Sequence, residues 1–342
     1  PRRATQLAPV LLIGMGLLPL GGARGAEAPT DCSPPVGWIS SRPDATGPTR
    51  VEVGFYVNDI NEISDAQQRF TTDALMDLSW TDPRLAPYAG CTVPRGTLWD
   101  PGLVLANRRS LSQLLPDRYT IGPGGRVRYL QRAYGDLSVR LDLHDFPFDR
   151  QSLEYVGVST RYGPSELELV FRPDASGRRQ DLLAAGWQIG DLDASTFSAR
   201  MGNSPVELAG IRIGLPARRD ATYFLWKFIA PLTLVVCMAW MVQWIDPSMA
   251  PSRIGLSATA LLTVFAYQFS VASSLPRVSY ATRMDRFFLG AIGIVLLGLV
   301  LSVLASELFR RERHEEARRL TRHGRWLLPA IYAAVTLAAF AV

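Results

Sequence analysis

Six residues, Gly255, Thr259, Leu262, Ala266, Phe269 and Ser273, recur at steps of four, three, four, three and four, the spacing that stacks side chains on one helix face. No residue from Ile254 to Leu275 carries a charge, so the segment is neutral and long enough to cross a hydrocarbon core. Its stripe mixes small and hydroxyl side chains with two bulky apolar ones. In a membrane that is the chemistry of a pore wall, with polar rings and hydrophobic constrictions. A small-residue helix-packing seam has the same composition, so the stripe alone leaves both readings open. Catalysis has less to draw on. His144, His314 and His323 are too scattered to share a metal, no His-Glu-x-x-His pair or glycine-rich phosphate loop occurs, and Asp142, His144 and Asp145 read as a solvated turn. The residues call for no cofactor and no metal, and an enzyme is not expected.

Hydropathy divides the 342 residues into a polar first two-thirds and an apolar last third. The runs Tyr223–Ile245, Ile254–Leu275, Phe287–Ser306 and Trp326–Val342, with Lys227 the single charge inside them, predict four membrane helices at about 223–245, 254–275, 284–309 and 325–342. Between the third and fourth lie Arg310, Arg311, Arg313, Arg318, Arg319, Arg322 and Arg325. The positive-inside rule places that connection in the cytoplasm and both ends of the chain outside. Consistent with this, Arg2 and Arg3 precede the apolar stretch Leu7–Leu20 and a small-residue segment, which together resemble a signal peptide over residues 1–26. The net charge of +5 is largely this arginine cluster beside a membrane and gives no indication of nucleic-acid binding. Cys237 falls within the first span, whereas Cys32 and Cys91 both face an oxidising compartment in this topology; a disulfide between them and two separate thiols are both open.

Residues 27–220 read as an outer domain of short strands. Val51, Val53, Phe55 and Val57 alternate with more polar neighbours, as do Leu137, Val139, Leu141 and Leu143, and Leu167, Leu169 and Phe171. Turn signals such as Gly122-Pro123-Gly124-Gly125 and Gly163-Pro164 separate such runs. The fold class expected is β plus membrane α: an antiparallel β-sandwich followed by a four-helix transmembrane bundle over 221–342.

Three segments occur in order along this framework: Trp99-Asp100-Pro101 with Asn107, Phe146-Pro147-Phe148-Asp149-Arg150-Gln151, and Ser274-Leu275-Pro276-Arg277-Val278-Ser279-Tyr280. Together they resemble the pentameric ligand-gated ion channel, or Cys-loop receptor, superfamily over nearly the whole chain. Trp240, Trp244, Pro251, Arg253, Gly255, Leu256, Thr259, Leu262 and Leu275-Pro276 are similar to glycine- and GABA-receptor subunits. Val139 and Leu153 stand where the animal receptors place the cysteines that name the family, as in bacterial members.

The resemblance implies a homopentamer in the cell (inner) membrane, with the N-terminal domain on the extracellular or periplasmic side. Its pore would be lined by Pro251, Arg253, Gly255, Thr259, Leu262, Ala266, Phe269 and Ser273, passing inorganic ions among membrane lipids. It also implies a gating contact among Asp65, Asp149 and Arg219, with Phe146, Pro147, Pro276 and Tyr280 as the surface that is pushed. The aromatic box of amine-gated relatives is missing, since its register reads Leu75, Ala106 and Thr160. A reduced ligand site from Tyr162, Phe197, Arg200 and Arg108 is one reading, interface packing the simpler one. Asp59, Glu62 and Asp65, taken as one turn, leave a proton or divalent-ion stimulus open beside a small molecule. No Asp or Glu lies between Asp246 and Asp285, so an acidic ring is missing and anions are the expected permeant ions. Alternatives are a cation-conducting or weakly selective channel, and a non-conducting membrane sensor; about Phe309–Arg325 leaves no room for an output module.

Overall fold

The computed structural model describes residues 32–35, 37, 41–44, 46–182, 184–200, 202, 205–272 and 278–340. The leader reading over residues 1–26 lies outside them, as do Ser273 and Pro276. The outer domain is built from strands β1 (Thr49–Ser64), β2 (Arg69–Thr81), β3 (Thr92–Pro94), β4 (Leu103–Leu105), β5 (Arg108–Gln113), β6 (Arg118–Ile121), β7 (Arg126–Ser138), β8 (Arg150–Ser159), β9 (Leu167–Phe171), β10 (Gly177–Arg178), β11 (Trp187–Ile189), β12 (Asp193–Arg200) and β13 (Glu207–Arg219). One sheet runs β10-β1-β2-β7-β6-β3, with β5 on β7 and β9 on β1; the other runs β11-β13-β8-β4, with β12 on β13. Pairing is antiparallel except for β9 and β10, which run parallel to β1. Alternating residues from both sheets, among them Val53, Phe55, Phe70, Leu137, Leu153, Tyr155 and Ile213, fill the space between them.

The run Leu137–Leu143 keeps its alternating burial beyond the end of β7 without remaining a strand. Its N–H groups find other partners: Val139 donates to the Gln68 carbonyl, Leu141 to Gln68 Oε1 and Asp142 to Gln151 Oε1. Side chains thus replace a sheet partner, and the segment is free to leave the sandwich toward the membrane. Val139 and Leu153 are both buried, as apolar residues in the core. Cys32 and Cys91 do form a disulfide, with Cα atoms 5.6 Å apart, and it ties the chain before β1 to the start of β3.

The helical part comprises α1 (Thr222–Trp244), α2 (Ala250–Ala272), α3 (Arg283–Arg310) and α4 (His314–Phe340). The first three are long and apolar enough to cross a membrane. The second begins four residues before the predicted start. The fourth begins well before residue 325, because Glu315 and Glu316 in its first turn and the pairs Arg313–Glu316 and Arg318–Glu315 extend an amphipathic, arginine-rich helix below its apolar part. Inside α1, Leu225–Ile229 forms a π-helical turn just before Pro231. Pro231 has no N–H for the Lys227 carbonyl four residues earlier; the Tyr267 hydroxyl of α2 donates to it instead, at 2.7 Å. A capping box between Thr282 and Asp285 starts α3. Where α3 and α4 cross, a Cβ on Gly290 would come within 2.2 Å of Val335 Cγ1, so glycine permits the approach.

Candidate functional site

At the junction of the two domains, β13 ends on Arg219, directly before α1. Its side chain is 6% exposed. Nε and Nη2 donate to Asp149 at 2.7 and 3.1 Å, while Nη1 and Nη2 donate to Asp65 at 2.9 and 2.8 Å. Asp65 opens the turn between β1 and β2, and Asp149 ends the loop before β8, so one guanidinium joins both loops at the base of the sandwich to the first membrane helix. Its faces are covered by Trp187, Phe146 and Phe224, with ring centroids 4.1, 4.9 and 5.9 Å away. Burial by itself would lower the guanidinium pKa; the hydrogen bonds and charges of the two carboxylates outweigh it and hold the value above its ordinary one. Gln151 steadies Asp149 by donating to its Oδ2 at 2.6 Å.

The Phe-Pro-Phe segment reaches the helices. Phe146 packs edge-on against Phe224 of α1, and Phe148 against Phe340 of α4. Tyr280, ahead of α3, accepts from the Leu143 N–H at 2.9 Å, and its ring stacks on His144 with centroids 3.8 Å apart. Arg283 adds a pair with Asp145 at 2.7 Å. Asp65, Phe146, Asp149, Arg219 and Tyr280 are therefore brought to one interface, as the motif register implied. Trp187 and Phe224 were missed: Trp187 meets Arg219 only through the β11–β13 register, a pairing with no signal in local sequence.

On α2, Pro251, Gly255, Thr259, Leu262, Ala266 and Phe269 lie exposed along one face, Leu262 at 69% and Phe269 at 80%. Ser257, Ala260, Val264 and Val271 are buried on the opposite side. Ser252, not among the expected lining residues, is exposed at the inner end. Arg253 corrects the expectation that it lines the stripe. Its side chain is wholly buried inside the bundle, donating to Thr321 Oγ1 at 3.3 Å and Gln243 Oε1 at 3.1 Å, with Nε unpartnered. The turn of helix that carries it points inward, because Arg253 and Ser257 are one turn apart on the packed face. No carboxylate lies within 4 Å of it among the described residues.

Within the protomer Phe197 and Arg200 share β12, and the Tyr162 carbonyl accepts from the N–H of Ala209 on the paired strand β13 at 2.9 Å. The Tyr162 hydroxyl accepts from Trp99 Nε1 at 2.9 Å, Arg200 is paired with Glu207 across the hairpin, and the Phe197 ring lies against Gly210 with Arg212 over it. Phe197 borders a groove of about 290 Å³ with Pro164, Leu167 and Thr196, while Arg108 lines a different cavity, of about 410 Å³, with Arg95 and Tyr129. Asp59 and Glu62 also depart from expectation, since both lie in β1; Glu62 pairs with Arg69 and Asp65 is taken by Arg219. The Trp99-Asp100-Pro101 motif serves structure. Asp100 accepts from Arg95 at 2.8 Å, from the Tyr119 hydroxyl and from the Gly102 N–H, where a φ of +64° and a close Thr160 hydroxyl favour glycine. Burial opposes its ionisation, but these donors prevail and its pKa lies below the ordinary carboxylate value.

A sandwich fastened through one caged arginine to a bundle, whose second helix leaves a neutral face uncovered, defines an outer β-domain joined to helices long and apolar enough to cross a membrane. Family comparison gives the class its name: residues 39–205 match the neurotransmitter-gated ion-channel ligand binding domain and residues 228–334 the neurotransmitter-gated ion-channel transmembrane region, so the chain belongs to the pentameric ligand-gated ion channel (Cys-loop receptor) superfamily. Similar proteins include pH-sensitive chloride channel 2 of Anopheles gambiae, 25% identical over 80% of this chain and 48% of its own length. Gamma-aminobutyric acid receptor subunit gamma-3 of Homo sapiens is 27% identical, over 72% and 55%. Glutamate-gated chloride channel subunit beta of Haemonchus contortus is 25% identical, over 77% and 64%. The chain spans about half the length of the first two.

Proposed function

We propose that the chain is the subunit of a homopentameric, anion-conducting channel of the inner membrane, opened by a stimulus acting on its outer domain. The observation that carries this is the uncovered, uncharged face of α2. Five copies of it around an axis would enclose water, while α1, α3 and α4 shield the helix from lipid. Leu262 and Phe269 supply apolar rings that close such a path by dewetting, and Thr259 supplies a polar ring.

Anion preference is supported by three features of the inner end. No carboxylate occurs between Asp246 and Asp285. Five α2 N-termini would converge there with their partial positive charges. Arg253 adds to this from behind the helix: unpaired with any carboxylate, its charge reaches the inner mouth through a low-dielectric bundle. Two of the relatives are named as chloride channels, which favours the same sign. The stimulus would displace the sandwich, and Asp65, Arg219 and Asp149 would pass that displacement to α1 and to the segment before α3. The purified protein, reconstituted and recorded under a sodium chloride gradient across a panel of pH, calcium and small amines, should give currents reversing near the chloride equilibrium potential. Reversal near the sodium value would overturn the anion assignment.

A further inference from the structure

Strand β5 carries one residue too many for its partner: Arg108 lies opposite Leu137 of β7 and Ser110 opposite Asp136, so Arg109 is the extra residue of a bulge. A bulge re-aims its side chain. Arg109 lines a half-open cavity of about 580 Å³ between β5 and β7 of one sheet and β8 of the other, together with Gln68, Arg140, Ser152 and Glu154. The opening exists because β8 pairs with β4 only over Gly157–Ser159. Beyond that stretch Asn107 spans the gap, its amide donating to the Ser138 and Glu154 carbonyls at 2.8 Å and its oxygen accepting from the Val156 N–H at 3.2 Å.

Charge in this cavity is unbalanced. Its carboxylate, Glu154, lies 3.2 Å from Arg212, which is outside it. Arg109 Nε donates to the neutral Ser138 hydroxyl at 2.8 Å. Among the described residues neither Arg109 nor Arg140 forms an ion pair, and both are exposed. Two guanidinium forks lining one cavity without a carboxylate of their own, with the Ser138 and Ser152 hydroxyls alongside, suit a tetrahedral dianion that offers three acceptor oxygens. The volume is that of a small-molecule site and exceeds what inorganic phosphate alone would fill.

We propose that this crevice binds a small phosphomonoester, its phosphoryl oxygens held by Arg109 and Arg140 and its organic part directed to Ser138 and Ser152. Occupancy would bear on the junction with the helices. Arg140 stands between Val139 and Leu141, whose N–H groups are both held by Gln68, and Gln68 Nε2 donates at 2.9 Å to the carbonyl of Asp65, a partner of Arg219. That consequence rests on the gating reading above; the binding itself is independent of conduction and selectivity, so the two fail separately.

The test is calorimetric titration of glycerol phosphate into the purified full-length protein in detergent, at constant ionic strength. One molecule should bind per subunit, and inorganic phosphate several-fold more weakly, because it leaves both hydroxyls unused. Arg109→Gln and Arg140→Gln should each weaken binding about tenfold, the loss of one charge-assisted pair. Arg140→Lys should recover part of that loss, since it restores the charge without the fork. Arg118→Gln, which alters an exposed arginine of β6 away from the cavity, should bind as the unaltered protein does. Both cavity arginines are exposed, so these variants should keep the melting temperature and report on binding alone. Absence of binding heat, unchanged affinity in Arg109→Gln or Arg140→Gln, an equal loss in Arg118→Gln, or inorganic phosphate binding as tightly as the ester would each overturn the proposal.

Discussion

Arg219 holds two carboxylates by hydrogen bonds and has three aromatic rings around it. Removing one partner of so buried a pair strands the other charges in a poor solvent, a loss of about 3–5 kcal/mol. Arg219→Ala should therefore abolish gating or assembly. A double-mutant cycle between Arg219→Lys and Asp149→Asn should show coupling above about 1 kcal/mol, read from the midpoint of activation or from thermal melting. Additive effects would remove the bridge from the gating path. Asp100 gives an acid-dependence of definite sign. Its pKa in the folded protein lies below the ordinary carboxylate value of about 3.9, so its stabilisation is complete above that value and fades as pH falls through the lowered one. Asp100→Asn should lower the melting temperature at neutral pH and flatten its decline below about pH 4. An equally steep acid decline in the variant would assign the effect to other carboxylates.

Among the elements, α2 is decisive because its two faces have opposite surroundings. Ser257, Ala260 and Val264 pack into the bundle, while Leu262 and Phe269 stand free. Replacing Leu262 by Ser would wet its ring without creating a cavity in the core. Resting current or stimulus sensitivity should rise by about tenfold while surface expression is maintained, measured by patch recording against a surface label. Unchanged currents would place the gate on another face. The segment 139–149 is the complementary element. It continues the burial of β7 while giving its N–H groups to Gln68, Gln151 and Tyr280, and so can end against the helices rather than in a sheet.

At the scale of the whole molecule, the proposed anion preference rests on the inner end of α2 as a whole and on no single side chain. With Arg253 turned into the bundle, the exposed residue there is Ser252, beside Pro251. Ser252→Glu would set five carboxylates around the proposed axis. The reversal potential should then move from the chloride toward the sodium value, whereas Arg253→Gln should weaken anion preference without inverting it. Inversion by Arg253→Gln alone would mean that its charge faces the lumen in the conducting state.

Period and composition determined the outer strands, the four helices and the neutral stripe of α2, because a buried face repeats every second or every third to fourth residue and is written locally. The motif register carried Asp65, Asp149, Arg219 and Tyr280 as far as a shared interface. Only the tertiary structure decided that Trp187 and Phe224 cage Arg219, that Arg253 points inward to Gln243 and Thr321, that Cys32 joins Cys91, and that Phe197 and Arg108 line different cavities. Each of these depends on segments distant in sequence meeting at a particular rotation or register. A charge in a helix reads as solvent-facing by type alone, and only the neighbouring helices, by offering neutral oxygens on the packed side, turn it inward.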